Sequence, residues 1–171
     1  MHVTLRPVRD DEPFLLRVYA GTRAEELAPV PWSPEEKAAF VAQQFAAQTA
    51  YYAQHYAGMS ADVVLVDDVP AGRLLVARWA EEIRIVDISI LPEFRGRGAG
   101  SGLLCELLAE AATAGKRLSI HVERENRALG LYERLGFRRV GEPGVYLRME
   151  WDPAGAASPD TKTRSTAAHH G

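Results

Sequence analysis

Four glycines fall within seven residues of this chain, at Gly96, Gly98, Gly100 and Gly102. The segment before them, Glu82 to Leu91, is rich in Ile and Val and reads as a β run. The segment after them, Gly100 to Ala114, carries Leu103, Leu104, Leu107, Leu108 and Ala111 at helical spacing and meets a stop at Gly115. A glycine-rich turn between a strand and a helix N-terminus lets main-chain N–H groups converge on an anion, with the helix dipole adding to the attraction. Glycine suits the place because a side chain would hold phosphate oxygens away from the backbone. Arg95 and Arg97 add positive charge at the rim. The local chemistry is that of a pyrophosphate site; the alternative is a plain strand–helix turn that binds nothing.

Two nucleotide motifs built on such turns do not fit. A dinucleotide fingerprint can only be forced onto Gly96-Arg97-Gly98-Ala99-Gly100-Ser101-Gly102. Glu123 lies near the place where that motif needs an acid, but the strands before the turn read as antiparallel hairpins and not as a first βαβ unit. A Walker motif fails because no Gly-Lys-Ser/Thr follows the turn.

The rest of the chain surrounds this unit with further elements. Val3 to Arg6 reads as a strand, and Asp10 or Asp11 caps a helix to about Leu27. The prolines at 29, 31 and 34 force a break. Ser33, Pro34 and Glu36 then form a capping-box signature for a long helix to about Tyr56. Val63 to Val66 and Gly72 to Trp79 are β runs joined through Asp67 to Gly72. Arg117 to Val122 is a strand, Asn126 to Leu135 a short helix, and Phe137 to Val140 and Val145 to Trp151 a final strand pair. The order βααβββαβαββ is a mixed α/β domain over residues 1–151. Residues 152–171 hold no Val, Ile, Leu, Phe or Tyr, so they read as a flexible tail, with His169 and His170 incidental to it.

The pattern Arg95-x-x-Gly98-x-Gly100 after a strand resembles motif A of the GNAT superfamily of acyl-CoA-dependent N-acetyltransferases. Asn126 with Ala128, and Leu131-Tyr132-Glu133-Arg134-Leu135-Gly136-Phe137, resemble its motif B in register. The resemblance covers about Asp62 to Trp151. It implies an α/β (α+β) fold with a mixed, mostly antiparallel central sheet flanked by helices and a splayed strand pair holding the cofactor. It implies that the main chain of Ile88, Ser89 and Ile90 holds the pantetheine and thioester of acetyl-CoA as cosubstrate. The loop Arg95, Gly96, Arg97, Gly98, Ala99, Gly100 and Ser101 would hold its pyrophosphate. Asn126 would lie close to the cofactor, and Tyr132 would serve as general acid for the departing thiolate; its alternative is a core aromatic.

Transfer to an amine needs a neutral nucleophile, hence a base or a water chain. Relatives place a catalytic carboxylate near Glu82 or a histidine near His121, and imidazole has a suitable intrinsic pKa. Asp87, between Val86 and Ile88, is a third carboxylate, costly in a strand unless partnered. The helix bearing Gln43, Gln44, Gln48, Tyr51, Tyr52 and His55 has a polar-aromatic surface suited to an acceptor, with Trp32 as a loop wall. From these, Trp32, Gln48 and Tyr52 are the expected acceptor contacts.

Composition bounds the rest. A formal net charge of −3 argues against a general nucleic-acid partner. No apolar run reaches the roughly 18 residues of a membrane span. With a single cysteine, Cys105, there is no disulfide and no Cys-rich zinc site; the residue reads as helix core, no metal is expected, and a cytoplasmic setting follows. The expectation is direct acetyl transfer to a primary amine of a small molecule or peptide. A CoA-binding module without turnover, another acyl-CoA, and a homodimer stay open.

Overall fold

Seven strands form one sheet in the order β1-β2-β3-β4-β5-β7-β6 in a computed structural model that describes residues 1–141 and 144–156. The chain runs β1 (Val3–Pro7), α1 (Glu12–Leu27), α2 (Pro34–His55), β2 (Ser60–Val66), β3 (Val69–Arg78) and β4 (Glu82–Ile90). A short 3-10 turn, Pro92–Phe94, leads to α3 (Ala99–Ala114), β5 (Arg117–Glu123), α4 (Leu129–Arg134), β6 (Arg138–Val140), β7 (Tyr146–Trp151) and α5 (Pro153–Ala156). The fold is the mixed, mostly antiparallel α/β arrangement expected. Its parallel pairing is β4 with β5, registered from Glu82 opposite Arg117 to Ile85 opposite Ile120. Val86–Ile90 continue β4 beyond the last of those pairs.

Local chemistry explains most element ends. Ser33 Oγ accepts the Glu36 N–H at 3.1 Å, and Glu36 Oε1 accepts the Ser33 N–H at 3.4 Å, so the predicted capping box starts α2. Gly115 ends α3 with φ of +67°, and the Lys116 N–H closes back on the Ala111 carbonyl at 2.9 Å. Asp11 occupies the cap position of α1 without capping it. Its carboxylate instead takes both Nη groups of Arg6, at 2.8 and 2.9 Å, and the Arg9 N–H at 2.7 Å. The Arg6 bonds, then the Arg9 N–H, hold its pKa down to about 2.

Three sequence expectations change. The β2–β3 connection is two residues, not Asp67 to Gly72: Asp67 and Asp68 take φ of +48° and +66°, the turn type whose twist matches its flanking strands. Val69 and Pro70 therefore already belong to β3. The short helix starts at Leu129, three residues after Asn126, because Asn126 Oδ1 accepts the Ala128 N–H at 2.8 Å and makes a side-chain-closed turn there. Cys105 is exposed, not core: Leu103, Leu104, Leu107 and Ala111 form the buried stripe of α3, and position 105 falls outside it. At the C-terminus Pro153–Ala156 form one helical turn, and the rest of the expected tail lies outside the described residues. Among the described residues no helix is long and apolar enough to cross a membrane.

The chain divides into two compact units. The first comprises Met1–Ala77 and Val86–Gly102. In it Tyr19 and Leu27 of α1 pack with Val41 and Phe45 of α2, while Val66, Ala71 and Ala99 form a second apolar cluster against Val3 and Phe94. The second comprises Arg78–Ile85 and the chain from Leu103 onward. Its buried residues include Ile83, Ile85, Leu118, Ile120, Val122, Phe137 and Met149. On β5 the two-residue alternation that buries Leu118, Ile120 and Val122 turns His121 to the opposite face, where Ser119 is buried and His121 itself is exposed.

Candidate active site

The glycine loop lies in the first unit and is held from both ends. At its start the Leu91 N–H donates to the Ala71 carbonyl at 2.8 Å, fixing the end of β4 to β3. Arg95 then folds back: its Nε donates to the Ile90 carbonyl at 2.9 Å and its Nη2 to the Gly21 carbonyl of α1 at 3.3 Å. Arg17 pairs with Glu93, and the Arg97 guanidinium lies 5.4 Å from the centroid of the Phe94 ring. Arg95 is thus a clamp on the loop's own backbone. A Cβ at Gly21 would stand 3.1 Å from Pro92 Cδ, so this mid-helix glycine lets α1 approach the loop closely.

Gly96 and Gly98 take φ of +75° and +86°, which L side chains rarely adopt. Gly100 lies in the first turn of α3, where any residue fits. Yet a Cβ built at Gly98, Gly100 or Gly102 would meet no protein atom within 4 Å. Nothing in the fold requires the glycines at 100 and 102. The first helical bond of α3 runs from the Gly102 N–H to the Gly98 carbonyl at 2.9 Å, so the N–H groups of Ala99, Gly100 and Ser101 precede it. The loop therefore offers uncovered main-chain donors beside open space, the arrangement that suits a pyrophosphate.

The strand leading into the loop is fixed with equal care. A Cβ at Gly72 of β3 would come within 2.2 Å of the Ser89 carbonyl oxygen, so glycine is obligatory for the approach of β3 to Ser89 and Ile90. Asp87 has found its partner. Its Oδ2 accepts Arg73 Nε at 2.8 Å and Nη2 at 2.5 Å, and its Oδ1 accepts the Ser89 hydroxyl at 2.9 Å. Arg73, itself buried, also donates to Gln48 Oε1 of α2 at 3.0 Å and lies 5.9 Å from the Phe45 ring centroid. Gln48, expected to contact an acceptor, is thus brought to Arg73, Asp87 and Ser89. Trp32 is elsewhere in the unit, edge-on to Phe40 at 5.3 Å, and half-buried Tyr52 neighbours the Tyr51 and Tyr56 rings.

The remaining candidates lie in the second unit. Glu82 is buried and held by arginines: Arg84 and Arg148 each reach it at 3.0 Å, and Arg117 at 3.7 Å. Arg84 Nε continues to Ser119 Oγ at 2.8 Å, and Arg148 also binds Glu150 at 2.8 Å. Both Glu82 oxygens are therefore occupied by guanidinium groups. His121 sits opposite Arg148 in the β5–β7 register. It is exposed, yet partial desolvation by its neighbours holds its pKa below the ordinary imidazole value; Arg84 and Arg148 push the same way, and Glu82 opposes them. Tyr132 is 3% exposed, with its ring 5.6 Å from that of Phe137 in an edge-on contact. Asn126 is exposed and spends its Oδ1 on the turn described above.

The sequence profile of the acetyltransferase (GNAT) family matches residues 22–137, two-thirds of the chain and all of the glycine loop. The chain belongs to the GNAT acetyltransferase family. Members of this family are acyl-CoA-dependent transferases. Solved structures agree on the fold. The PaiA N-acetyltransferase of Thermoplasma acidophilum, in complex with coenzyme A, superposes with a TM-score of 0.67 at 18% identity, covering 89% of this chain and 99% of that one. A GNAT acetyltransferase from Elizabethkingia anophelis with acetyl-CoA bound gives 0.55 at 17% identity, covering 88% and 97%. A curated protein from Mycobacterium leprae, itself uncharacterized, is 37% identical over 76 residues, 44% of this chain; the match spans only 20% of that protein's length.

Three positioning residues of this GNAT chain escape a reading of the sequence: Gly21, Gly72 and Arg73. Each left a trace. Gly21 interrupts a helical pattern, Gly72 opens an apolar β run, and Arg73 is as anomalous in its strand as Asp87 is in its own.

Proposed function

We propose that this protein transfers an acetyl group directly from acetyl-CoA to a primary amine of a small molecule or peptide. The observation that carries this reading is the loop of a GNAT-family chain that leaves the Ala99, Gly100 and Ser101 N–H groups ahead of the first helical bond, beside glycines whose missing side chains no protein atom replaces. A diphosphate fits there; a Cβ would fill the cradle. Bound acetyl-CoA supplies an acyl group activated as a thioester. The chain's own part is to bind the diphosphate through that main chain and to orient the rest along Ile88, Ser89 and Ile90, whose position Gly72 and the Arg73–Asp87–Ser89 bonds fix.

Proton handling falls to His121 and Tyr132. His121 is the better base of the two named on the strands, since its neutral form is favoured while Glu82 is saturated by arginines. Tyr132 supplies a hydroxyl for the departing sulfur, and Asn126 shapes the turn ahead of α4. Trp32 and Tyr52 remain candidates for the acceptor side, and Gln48 acts by holding Arg73. The test is a panel of amino acids, polyamines, aminoglycosides and peptide N-termini mixed with acetyl-CoA. Free thiol should appear in proportion to N-acetyl product with at least one class. Tight acetyl-CoA binding without turnover across the panel would overturn the enzyme reading.

A further inference from the structure

Gln48 stands at the outer end of a polar chain that runs into the strand proposed to hold the thioester. Gln48 of α2, Arg73 of β3, and Asp87 and Ser89 of β4 all belong to the first unit. A single nitrogen joins the two ends of the chain. Arg73 Nη2 donates to Gln48 Oε1 at 3.0 Å and to Asp87 Oδ2 at 2.5 Å, while Asp87 Oδ1 accepts the Ser89 hydroxyl at 2.9 Å. Arg73 is buried, with its guanidinium 5.9 Å from the centroid of the Phe45 ring, three residues before Gln48 on α2.

This bond does more than hold Arg73, because it also orients the amide. A guanidinium has donors only, so the atom of Gln48 that faces it must be the oxygen. The side-chain amide is planar, and fixing its oxygen fixes the direction of its NH2 group. Nε2 has no hydrogen-bond partner among the described residues, and on this half-buried side chain it is not sealed off from solvent. Gln48 thus presents two N–H donors of set direction that a ligand can reach. The positive charge of Arg73 offsets the negative charge of Asp87, so the chain as a whole offers a polycation no net attraction. Tyr52, half-buried, lies one turn further along the same side of α2 and can take an apolar part of a ligand. What this place lacks, and a ligand would supply, is an acceptor oxygen.

We infer that Gln48 selects the acetyl acceptor, donating through Nε2 to an oxygen next to the reacting amine. The acceptor class is then the α-amino carbonyl compounds: amino acids, their amides and peptide N-termini. Polyamines, which have no such oxygen, are disfavoured. The inference rests on the acetyl-transfer reading for the course of the thioester along Ile88, Ser89 and Ile90, whereas the orientation of the Gln48 amide does not.

The probes are L-phenylalaninamide and 2-phenylethylamine, which share a primary amine and a ring and differ by the carboxamide. Each is titrated into the full chain saturated with CoA, which has no acetyl group to transfer, while the Gln48 side-chain amide signals are followed by NMR. L-Phenylalaninamide should shift those signals saturably and bind about 5- to 10-fold more tightly than 2-phenylethylamine, the worth of one neutral hydrogen bond. Gln48→Glu keeps an oxygen for Arg73 but replaces the outward donor with an acceptor, so the preference should vanish while CoA affinity and the unfolding midpoint hold. Gln48→Met removes both ends and should lose the preference too. Equal binding of the two probes, absence of a Gln48 shift with L-phenylalaninamide, or a preference that survives in Gln48→Glu would each overturn the inference. Turnover separates it from the reading beneath it. If acetyl-CoA acetylates 2-phenylethylamine as efficiently as L-phenylalaninamide, transfer stands and selection by Gln48 fails. If the probes bind as described but no amine is acetylated, the transfer reading fails and Gln48 remains the selector of a bound amine.

Discussion

Gly100→Ala should make the protein more stable and a worse cofactor binder at once. Position 100 has a helical backbone in the first turn of α3, and a Cβ there meets no protein atom within 4 Å. The fold therefore gains the helix preference of Ala over Gly, roughly 0.5–1 kcal/mol. For a chain of this size that raises the unfolding midpoint by about 1–4 °C. The same methyl stands where a diphosphate oxygen must approach the main-chain N–H groups ahead of the Gly102–Gly98 bond. Losing one charge-assisted hydrogen bond costs about 1.5–3 kcal/mol, which weakens CoA about 10- to 150-fold. Scanning calorimetry and titration calorimetry on one preparation read both numbers. Unchanged CoA affinity would refute the reasoning that the loop's glycines exist for a ligand. A lowered midpoint would refute the claim that the space is open.

Gly72→Ala should act in the opposite sense on stability. Its Cβ would lie 2.2 Å from the Ser89 oxygen, so β4 must shift by roughly 1 Å at an overpacking cost of about 1–3 kcal/mol, and CoA affinity should fall with the midpoint; an unshifted midpoint counts against the close approach. His121 should titrate below the ordinary imidazole pKa of about 6.5. Because folding favours its neutral form, that contribution to stability is complete above about pH 6.5 and is lost as pH falls through the depressed folded value, which NMR and pH-dependent melting can follow. The rising limb of kcat/KM should follow the same titration and disappear in His121→Asn; Glu82→Gln should keep that limb while lowering the melting midpoint, since it strips the buried Arg84 of its counter-charge. Tyr132→Phe should retain CoA affinity but lower kcat about 10- to 1000-fold, and full turnover with chemistry rate-limiting would remove it from the mechanism.

What could be read from the sequence follows from the range of each interaction. The capping box of Ser33 and Glu36, the stop at Gly115 and the strand–loop–helix around Gly98 are written within a few residues of themselves, so pattern alone found them. Glu82 shows the other case. Locally it is a carboxylate at a strand start, open to a catalytic reading. Its partners Arg117 and Arg148 come from β5 and β7, and only the strand order brings them together. Arg73 and Asp87 stand fourteen residues apart on different strands, and nothing in either neighbourhood names the other. Cys105 failed for a further reason. Gly100 to Ala114 is apolar at so many positions that its buried stripe has little contrast, so periodicity does not tell position 105 from position 104.

Net charge misleads in a related way. The formal value of −3 rightly argues against binding along a polyanion, which needs a broad excess of positive charge. It says nothing about single anion sites, because at physiological salt exposed charges farther apart than about 8 Å are largely screened. Within that range the second unit is locally positive: Arg84, Arg117 and Arg148 meet Glu82 and Glu150. The glycine loop needs even less charge, for its donors are main-chain N–H groups and Arg95, its most conspicuous cation, is committed to the carbonyls of Ile90 and Gly21. A salt titration tests this: a diphosphate hydrogen-bonded to fixed amides should keep the directional part of its binding as ionic strength rises.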